Sequence, residues 1–383
     1  MPKVLYISIY TKTPETLKSD GVMKKINLHI DCLTKLGDEV DYIFNDEKNI
    51  YFHSEGKDVL LERKKSKGFK YFNRLMCLCK NIIKTQKRHY DFIYIRHVAF
   101  DFRGFKSLKY LSKVSNCIYL EFPTFFIPEK NLKNYVKYYF NNKMHKYIYK
   151  AVVDSLDVEV YKMPTLRVIN GTDLTKIEPR KPTSSNVVHV LIVAFLQAYH
   201  GVDKIIKACK EYYSTGGTRN VQFHIVGEGP VYKELVAQTN KERMDDHIHF
   251  YGKLSGKELF DVFDKCELGI SSLSNKEIGV TCSSTLKSKE YLAKGLPIIS
   301  DTMLDVFVDK PKYFFYIVEK DFNLDELLKF YDSVYSNRDK SQIIKDIRNF
   351  AEETCDMYKV FSQVHDDYVS FMKHGGEKRW KFN

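Results

Sequence analysis

The stretch best suited to hold an anion is Cys282-Ser283-Ser284-Thr285-Leu286-Lys287, which runs into Ser288-Lys289-Glu290-Tyr291-Leu292-Ala293-Lys294-Gly295. Small hydroxyl residues before a helix leave room for a phosphate, and the first amide N–H groups of a helix have no intrahelical acceptor. Lys287 and Lys289 add positive charge. Glu290 lies about one turn into the helix, where a carboxylate can accept hydrogen bonds from ribose hydroxyls. The plainer alternative is a capping Ser or Thr followed by a surface glutamate. Three further loops follow strand-like runs. In Ile225-Val226-Gly227-Glu228-Gly229-Pro230 the glycines let a ligand approach the backbone, or simply make a tight turn. In Tyr199-His200-Gly201-Val202, His200 could bind a ligand or serve the structure alone. Arg96-His97 follows Phe92–Ile95, with arginine able to pair with a phosphate and histidine able to bond a sugar.

These loops need a scaffold of strands and helices in alternation. Val4 to Tyr10, Val40 to Phe44, Phe92 to Ile95 and Cys117 to Leu120 read as strands. A loop is expected at Ser19-Asp20-Gly21, and helices over 22–36, 70–88, 103–113 and 130–150. The pattern restarts after the proline- and serine-rich stretch Pro179–Asn186, read as a linker, with strands at 188–194, 221–226, 247–251, 268–271 and 296–299. Alternation in both halves predicts parallel sheets wound on both faces. Open sheets of that kind bind ligands at the carboxyl ends of their strands.

The chain has 383 residues, which suits two domains. No apolar run reaches the ~18 residues of a membrane span, and the start does not read as a signal peptide, so a cytoplasmic protein is expected. The eight cysteines are scattered and read as reduced thiols. Net charge is +12, and residues 51–150 hold 22 Lys and Arg against seven Asp and Glu. Such a surface attracts phosphates on a membrane, a nucleic acid or a pyrophosphate-bearing substrate. Between Asn131 and Lys150 lysines interleave with tyrosines, which suits either a helix at a membrane surface or a solvated helix with its rings packed inward. No GxGxxG, P-loop, HExxH or GxSxG motif occurs, and no carboxylate cluster suggests a metal. No nucleic-acid motif is present either.

Taken together the motifs resemble the retaining GT-B glycosyltransferases of family 4, also called group 1. Gly37-Asp38-Glu39-Val40, Val168-Ile169-Asn170-Gly171-Thr172-Asp173 and His200-Gly201-Val202-Asp203 are similar to three of that family's segments. Val226-Gly227-Glu228-Gly229-Pro230 and Glu290-Tyr291-Leu292-Ala293-Lys294-Gly295-Leu296-Pro297-Ile298-Ile299 are the most specific matches. The resemblance implies an α/β GT-B fold, two Rossmann-like domains with a central cleft. It divides the chain into 1–178 as acceptor domain, 187–355 as nucleotide-sugar domain, and 356–383 as a C-terminal helix packing back on the first domain. It further implies donor binding by Gly21, His200, Gly227, Thr285, Leu286, Lys287 and Glu290, with Glu290 on the ribose and Thr285 and Leu286 offering amides to the diphosphate. His97 and Lys287 would be the catalytic residues.

The implied reaction is transfer of a hexose from a nucleotide-diphosphate donor, a UDP-sugar first, to a glycan acceptor with retention and without metal or other cofactor. The acceptor could be linked to a lipid pyrophosphate, with the protein peripheral at the inner face of an anionic membrane in surface-polysaccharide assembly. The family's glutamate eight positions before Glu290 is replaced by Cys282, and Phe195 and His200 stand where it has an arginine and a lysine; Lys287 is expected to supply the missing charge. Two rival readings are a non-catalytic GT-B partner subunit and a non-hydrolysing sugar-nucleotide epimerase.

Overall fold

The computed structural model describes residues 1–122, 139–308 and 310–376. It divides into two compact units, Met1–Ile169 with the chain from Met357 onward, and Asn170–Asp356.

The first unit is built on a nine-stranded sheet, ordered β4-β3-β2-β1-β5-β6-β7-β9-β8. Its strands are β1 (Lys3–Ile7), β2 (Glu39–Asn45), β3 (Asn49–Ser54), β4 (Lys57–Arg63), β5 (Phe92–Arg96), β6 (Cys117–Glu121), β7 (Lys150–Val153), β8 (Glu159–Val160) and β9 (Met163–Arg167). Pairing is parallel from β2 through β9, while β3, β4 and β8 pair antiparallel at the two edges. Its helices are α1 (Pro14–Ser19), α2 (Gly21–Lys35), α3 (Gly68–Gln86) and α4 (Phe102–Leu111). α3 buries Tyr71, Phe72, Leu75, Met76, Cys79 and Ile83, the three- and four-residue spacing of one helix face, against one side of the sheet.

The other side is covered by α2 and by the last helix of the chain, Met357–Lys373. That last helix buries Met357, Val360, Phe361, Val364 and Tyr368. Each such side chain contributes about 1.5–3 kcal/mol on leaving water. Phe361 stacks on His29 of α2 with ring centroids 3.8 Å apart. Tyr119 and Lys150 both bond Asp367.

The second unit has a six-stranded, all-parallel sheet. Its strands are β10 (Val188–Val193), β11 (Val221–Val226), β12 (Ile248–Phe250), β13 (Leu268–Ile270), β15 (Ile298–Ser300) and β17 (Phe315–Ile317), in the order β12-β11-β10-β13-β15-β17. Two short strands, β14 (Cys282–Ser283) and β16 (Met303–Leu304), pair beside it. The helices are α5 (Val202–Ser214), α6 (Tyr232–Lys241), α7 (Gly256–Phe263), α8 (Leu286–Lys294), α9 (Leu324–Tyr335) and α10 (Lys340–Thr354), which makes the C-terminal helix α11. This is the doubly wound order in which strand succession reverses between β10 and β13. Ligands of such sheets sit outside the carboxyl ends of the strands at that reversal.

Several expectations are corrected. The first strand stops at Ile7, and α1 precedes Asp20, so the expected loop at 19–21 is a junction between two helices. The hairpin β3–β4 occupies a stretch in which no strand is expected. The Pro179–Asn186 stretch is not where the units part. Arg180 bonds the Tyr335 hydroxyl at 2.8 Å, Lys340 the Thr183 carbonyl at 2.9 Å, and Arg348 the carbonyls of Leu174 and Ile177, so this segment is strapped to the second unit. Of the expected helix over 130–150, residues 130–138 lie outside the described residues. The described end is not a membrane-surface helix: Met144 and Ile148 are fully buried, Phe140 and Tyr147 pack on the core, and Lys150 opens β7. Among the described residues no helix is long and apolar enough to cross a membrane.

Candidate functional site

The start of α8 is held from several directions. Thr285 is its N-cap, with Oγ1 accepting from the Ser288 N–H at 3.4 Å and lying 3.4 Å from Ser271 Oγ. Ser271 directly follows β13, so the helix begins at the sheet's reversal point. The preceding loop is gripped by Asn170, whose N–H donates to Ser284 Oγ at 3.0 Å and whose Nδ2 donates to the Ser284 carbonyl at 2.5 Å. Ser284 Oγ in turn bonds Asp305. Ser288 N–H is capped, and the amides of Leu286 and Lys287, at the two positions before it, have no carbonyl one turn back to receive them. The helix dipole adds partial positive charge at the same place.

Two lysines two positions apart on α8 have different fates. Lys289 is fully buried and ion-paired with Asp305, so it adds no charge for a ligand, contrary to the sequence expectation. Lys287 keeps part of its stem in water, but its Nζ is buried and has no hydrogen-bond partner among the described residues. Burial brings its pKa down to about 7, against a smaller opposing pull from Asp301. A buried amine with no partner is a group waiting for an anion.

His200 belongs to the loop after β10. Its Nδ1 accepts the Gln197 N–H at 3.1 Å, which leaves the proton of the neutral ring on Nε2. Burial, with the nearby Lys287 charge, lowers its pKa to about 2, so the ring is a neutral donor and not a cation. Gly201 next to it has φ +70° and lies where a Cβ would come 2.7 Å from Leu273 Cβ, so no other residue fits between this loop and the Leu273 segment. Glu290 is half-buried on the same helix.

Gly227 has φ +130°, and a Cβ there would fall 1.8 Å from the Ala194 carbonyl oxygen. The space this glycine leaves is thus filled by the neighbouring strand-end loop, and its role in the structure is to let β10 and β11 end side by side. Gly21, in the first unit, opens α2. The Asp20 carboxylate already accepts from the Val22 and Met23 amides at 2.8 and 3.1 Å, so a carboxylate occupies the position expected for a phosphate.

His97 follows β5, at the reversal point of the first sheet between β1 and β5. It is boxed in by Phe72, Phe100 and Phe122, and among the described residues neither ring nitrogen meets a partner at full hydrogen-bond geometry. Burial lowers its pKa to about 3, offset in part by Asn141. It is therefore a neutral imidazole. Arg96 is not free for a phosphate: it bonds Glu121, which Lys25 also reaches at 2.9 Å and Tyr94 at 3.1 Å. Burial alone would raise the Glu121 pKa, but Arg96 and Lys25 hold it well below the usual carboxylate range.

Sequence reasoning missed Asn170, Asp301 and Asp305. Asn170 lies in a recognised motif, but nothing in the sequence says that it grips a loop more than a hundred residues away. Among the described residues no three His, Cys, Asp or Glu side chains assemble in a metal-binding arrangement.

The family comparison falls on the unit that carries α8. Residues 188–312 match the family model described as Glycosyl transferases group 1. The group 1 match spans β10 through β16, and so includes His200, Gly227, Lys287 and Glu290. No curated protein matches the chain. Among solved structures, a glycosyltransferase from Rickettsia africae is similar over 98% of this chain and 99% of its own, with 14% identity and a TM-score of 0.69. Sucrose-phosphate synthase from Thermosynechococcus elongatus is similar over 98% and 100%, at 13% identity and a TM-score of 0.67. HepE from Anabaena, solved with UDP and glucose, is similar over 97% and 100%, at 14% identity and a TM-score of 0.60. The fold is that of the GT-B glycosyltransferases, with two Rossmann-like units.

Proposed function

We propose that this chain is a glycosyltransferase that takes a sugar from a nucleotide-diphosphate donor bound at the start of α8. One observation carries the reading: the buried, unpartnered Nζ of Lys287 lies at a helix N-terminus on the carboxyl edge of the sheet, where its order reverses. Breaking a sugar–phosphate bond leaves negative charge on the diphosphate. Lys287, the amides of Leu286 and Lys287, and the α8 dipole stabilise that charge as it develops. His200 adds a neutral N–H donor from Nε2, and Glu290 receives the ribose hydroxyls.

His97, neutral across the working pH range, serves as a hydrogen-bonding partner for a sugar hydroxyl and does not exchange protons as a general acid. We take the donor to be a UDP-hexose and the transfer to be retaining. The acceptor is a glycan held by the first unit, and the surplus of Lys and Arg over residues 51–150 suits one carried on a lipid pyrophosphate. A partner subunit with no catalytic role has no need to keep Lys287 buried and unpaired, which favours the enzyme. The test is a thermal-shift screen with UDP, GDP, CDP and ADP, followed by product analysis with the matching sugar nucleotides. A melting temperature that none of the diphosphates raises refutes the reading.

A further inference from the structure

Five buried polar atoms around the start of α8 lack a hydrogen-bond partner among the described residues: Lys287 Nζ, Ser283 Oγ, Asn170 Oδ1, Asp301 Oδ1 and Thr302 Oγ1. Their neighbourhood follows from the pairing of β14 with β16, which sets Cys282 opposite Met303 and Ser283 opposite Leu304, one and two residues beyond Thr302. Asp301 stands out among them. It is 4% exposed, its N–H donates to the Ser272 carbonyl at 2.9 Å, and its Oδ2 accepts the Lys276 N–H at 2.9 Å. The carboxylate is thus fixed by one oxygen while the other is bare. Leaving a buried carboxylate oxygen without a donor is expensive in free energy, and such groups persist where a ligand completes them.

Lys287 could have met that need, yet among the described residues it forms no ion pair with Asp301 although each lies within the other's field. The two charges stay apart, each without a hydrogen-bond partner for the atom named above. A ligand that satisfies both must offer an anion to Lys287 and hydroxyl donors to Asp301. The hydroxyls of Thr302 and Ser283 can bond the oxygens of the same hydroxyl groups. A sugar joined to a diphosphate has this distribution of groups. A bare nucleoside diphosphate supplies the anion but no hydroxyl beyond the terminal phosphate.

We propose that Asp301 determines specificity for the transferred sugar, its free Oδ1 accepting hydrogen bonds from sugar hydroxyls while Lys287 holds the diphosphate. This rests on the glycosyltransferase reading above and extends it to a residue outside the motifs. The test is calorimetric titration of wild type and Asp301→Asn with UDP, and with whichever of UDP-glucose, UDP-galactose and UDP-N-acetylglucosamine wild type binds best. Asparagine keeps an acceptor for the Lys276 N–H, and melting curves check that the variant is folded. Loss of a hydrogen bond to a charged acceptor weakens the sugar nucleotide by about tenfold or more. UDP binds as well as before or more tightly, because a negative charge near the diphosphate has gone. A uniform loss of both ligands, as from a purely structural carboxylate, overturns the proposal, as does unchanged affinity for the sugar nucleotide. Wild type that binds UDP but fails this contrast leaves the donor site standing and removes only Asp301. Where the thermal-shift screen selects another base, the titration uses that diphosphate and its sugar derivatives, and wild type that binds no nucleoside diphosphate removes both.

Discussion

Replacing Lys287 with methionine separates a site residue from a structural one, because the two roles predict opposite changes in stability. Burial moves the Lys287 pKa from its ordinary 10.5 to about 7, with only a weaker opposing pull from Asp301 and no hydrogen bond among the described residues to offset it. At ~1.4 kcal/mol per unit, that displacement sets a ceiling of about 5 kcal/mol on what the charged form costs the ligand-free fold. Relaxation and the partly exposed stem reduce it, and about 2 kcal/mol is expected. Methionine keeps the stem without the charge, so Lys287→Met melts higher than wild type at pH 7, by about 4–8 °C for a unit of this size.

The sign with pH follows from linkage. The folded pKa lies below the unfolded one, so the unfolded chain binds more protons between them, and wild-type stability rises with pH across that window. The gap between variant and wild type is full below pH 7 and closes toward pH 10.5. Ligand binding runs the other way. A diphosphate needs the ammonium form, so wild-type affinity for UDP falls up to tenfold per pH unit above about 7, whereas Lys287→Met binds weakly at every pH. Differential scanning fluorimetry with and without UDP, from pH 6.5 to 9.5, reads both effects. A variant that melts lower than wild type and still binds UDP with the wild-type pH dependence refutes the reasoning.

Two further substitutions test the supporting structure. Gly227→Ala places a methyl on the Ala194 carbonyl oxygen at an unfavourable φ, and is expected to destabilise the second unit by more than about 2 kcal/mol in urea denaturation; a change within about 0.5 kcal/mol contradicts the close approach described here. Glu121→Gln leaves Arg96 and Lys25 buried beside a neutral group and costs about 3–5 kcal/mol at pH 7. Because the Glu121 pKa is depressed, its stabilisation is complete above the ordinary glutamate range and is lost as pH falls below it. Wild type and variant therefore converge in acid, and a gap that stays constant down to pH 2 is the contrary result.

Much of the architecture is legible in the sequence because it is local. Apolar runs of five or six residues between amphipathic stretches specify β1, β5, β6, β10 and β11. Gly201 and Gly227 mark strand-end loops because only glycine adopts the backbone required there. Thr285 followed by an amphipathic run marks the start of α8, and with it the place where an anion can be received.

What the sequence leaves open depends on partners distant along the chain. Lys287 and Lys289 look alike in a list of residues. At 100° per residue they point roughly 200° apart on α8, and only the arrival of Asp305 beside one of them makes it a structural ion pair and leaves the other unpartnered. Asp301 carries no signal in the sequence, and only the fold buries it with one oxygen unpartnered among the described residues. Arg96 reads as a phosphate ligand until β6 brings Glu121 alongside. Local propensity and period decide where strands, helices and turns fall; which charges are neutralised is decided by what the completed fold packs against them.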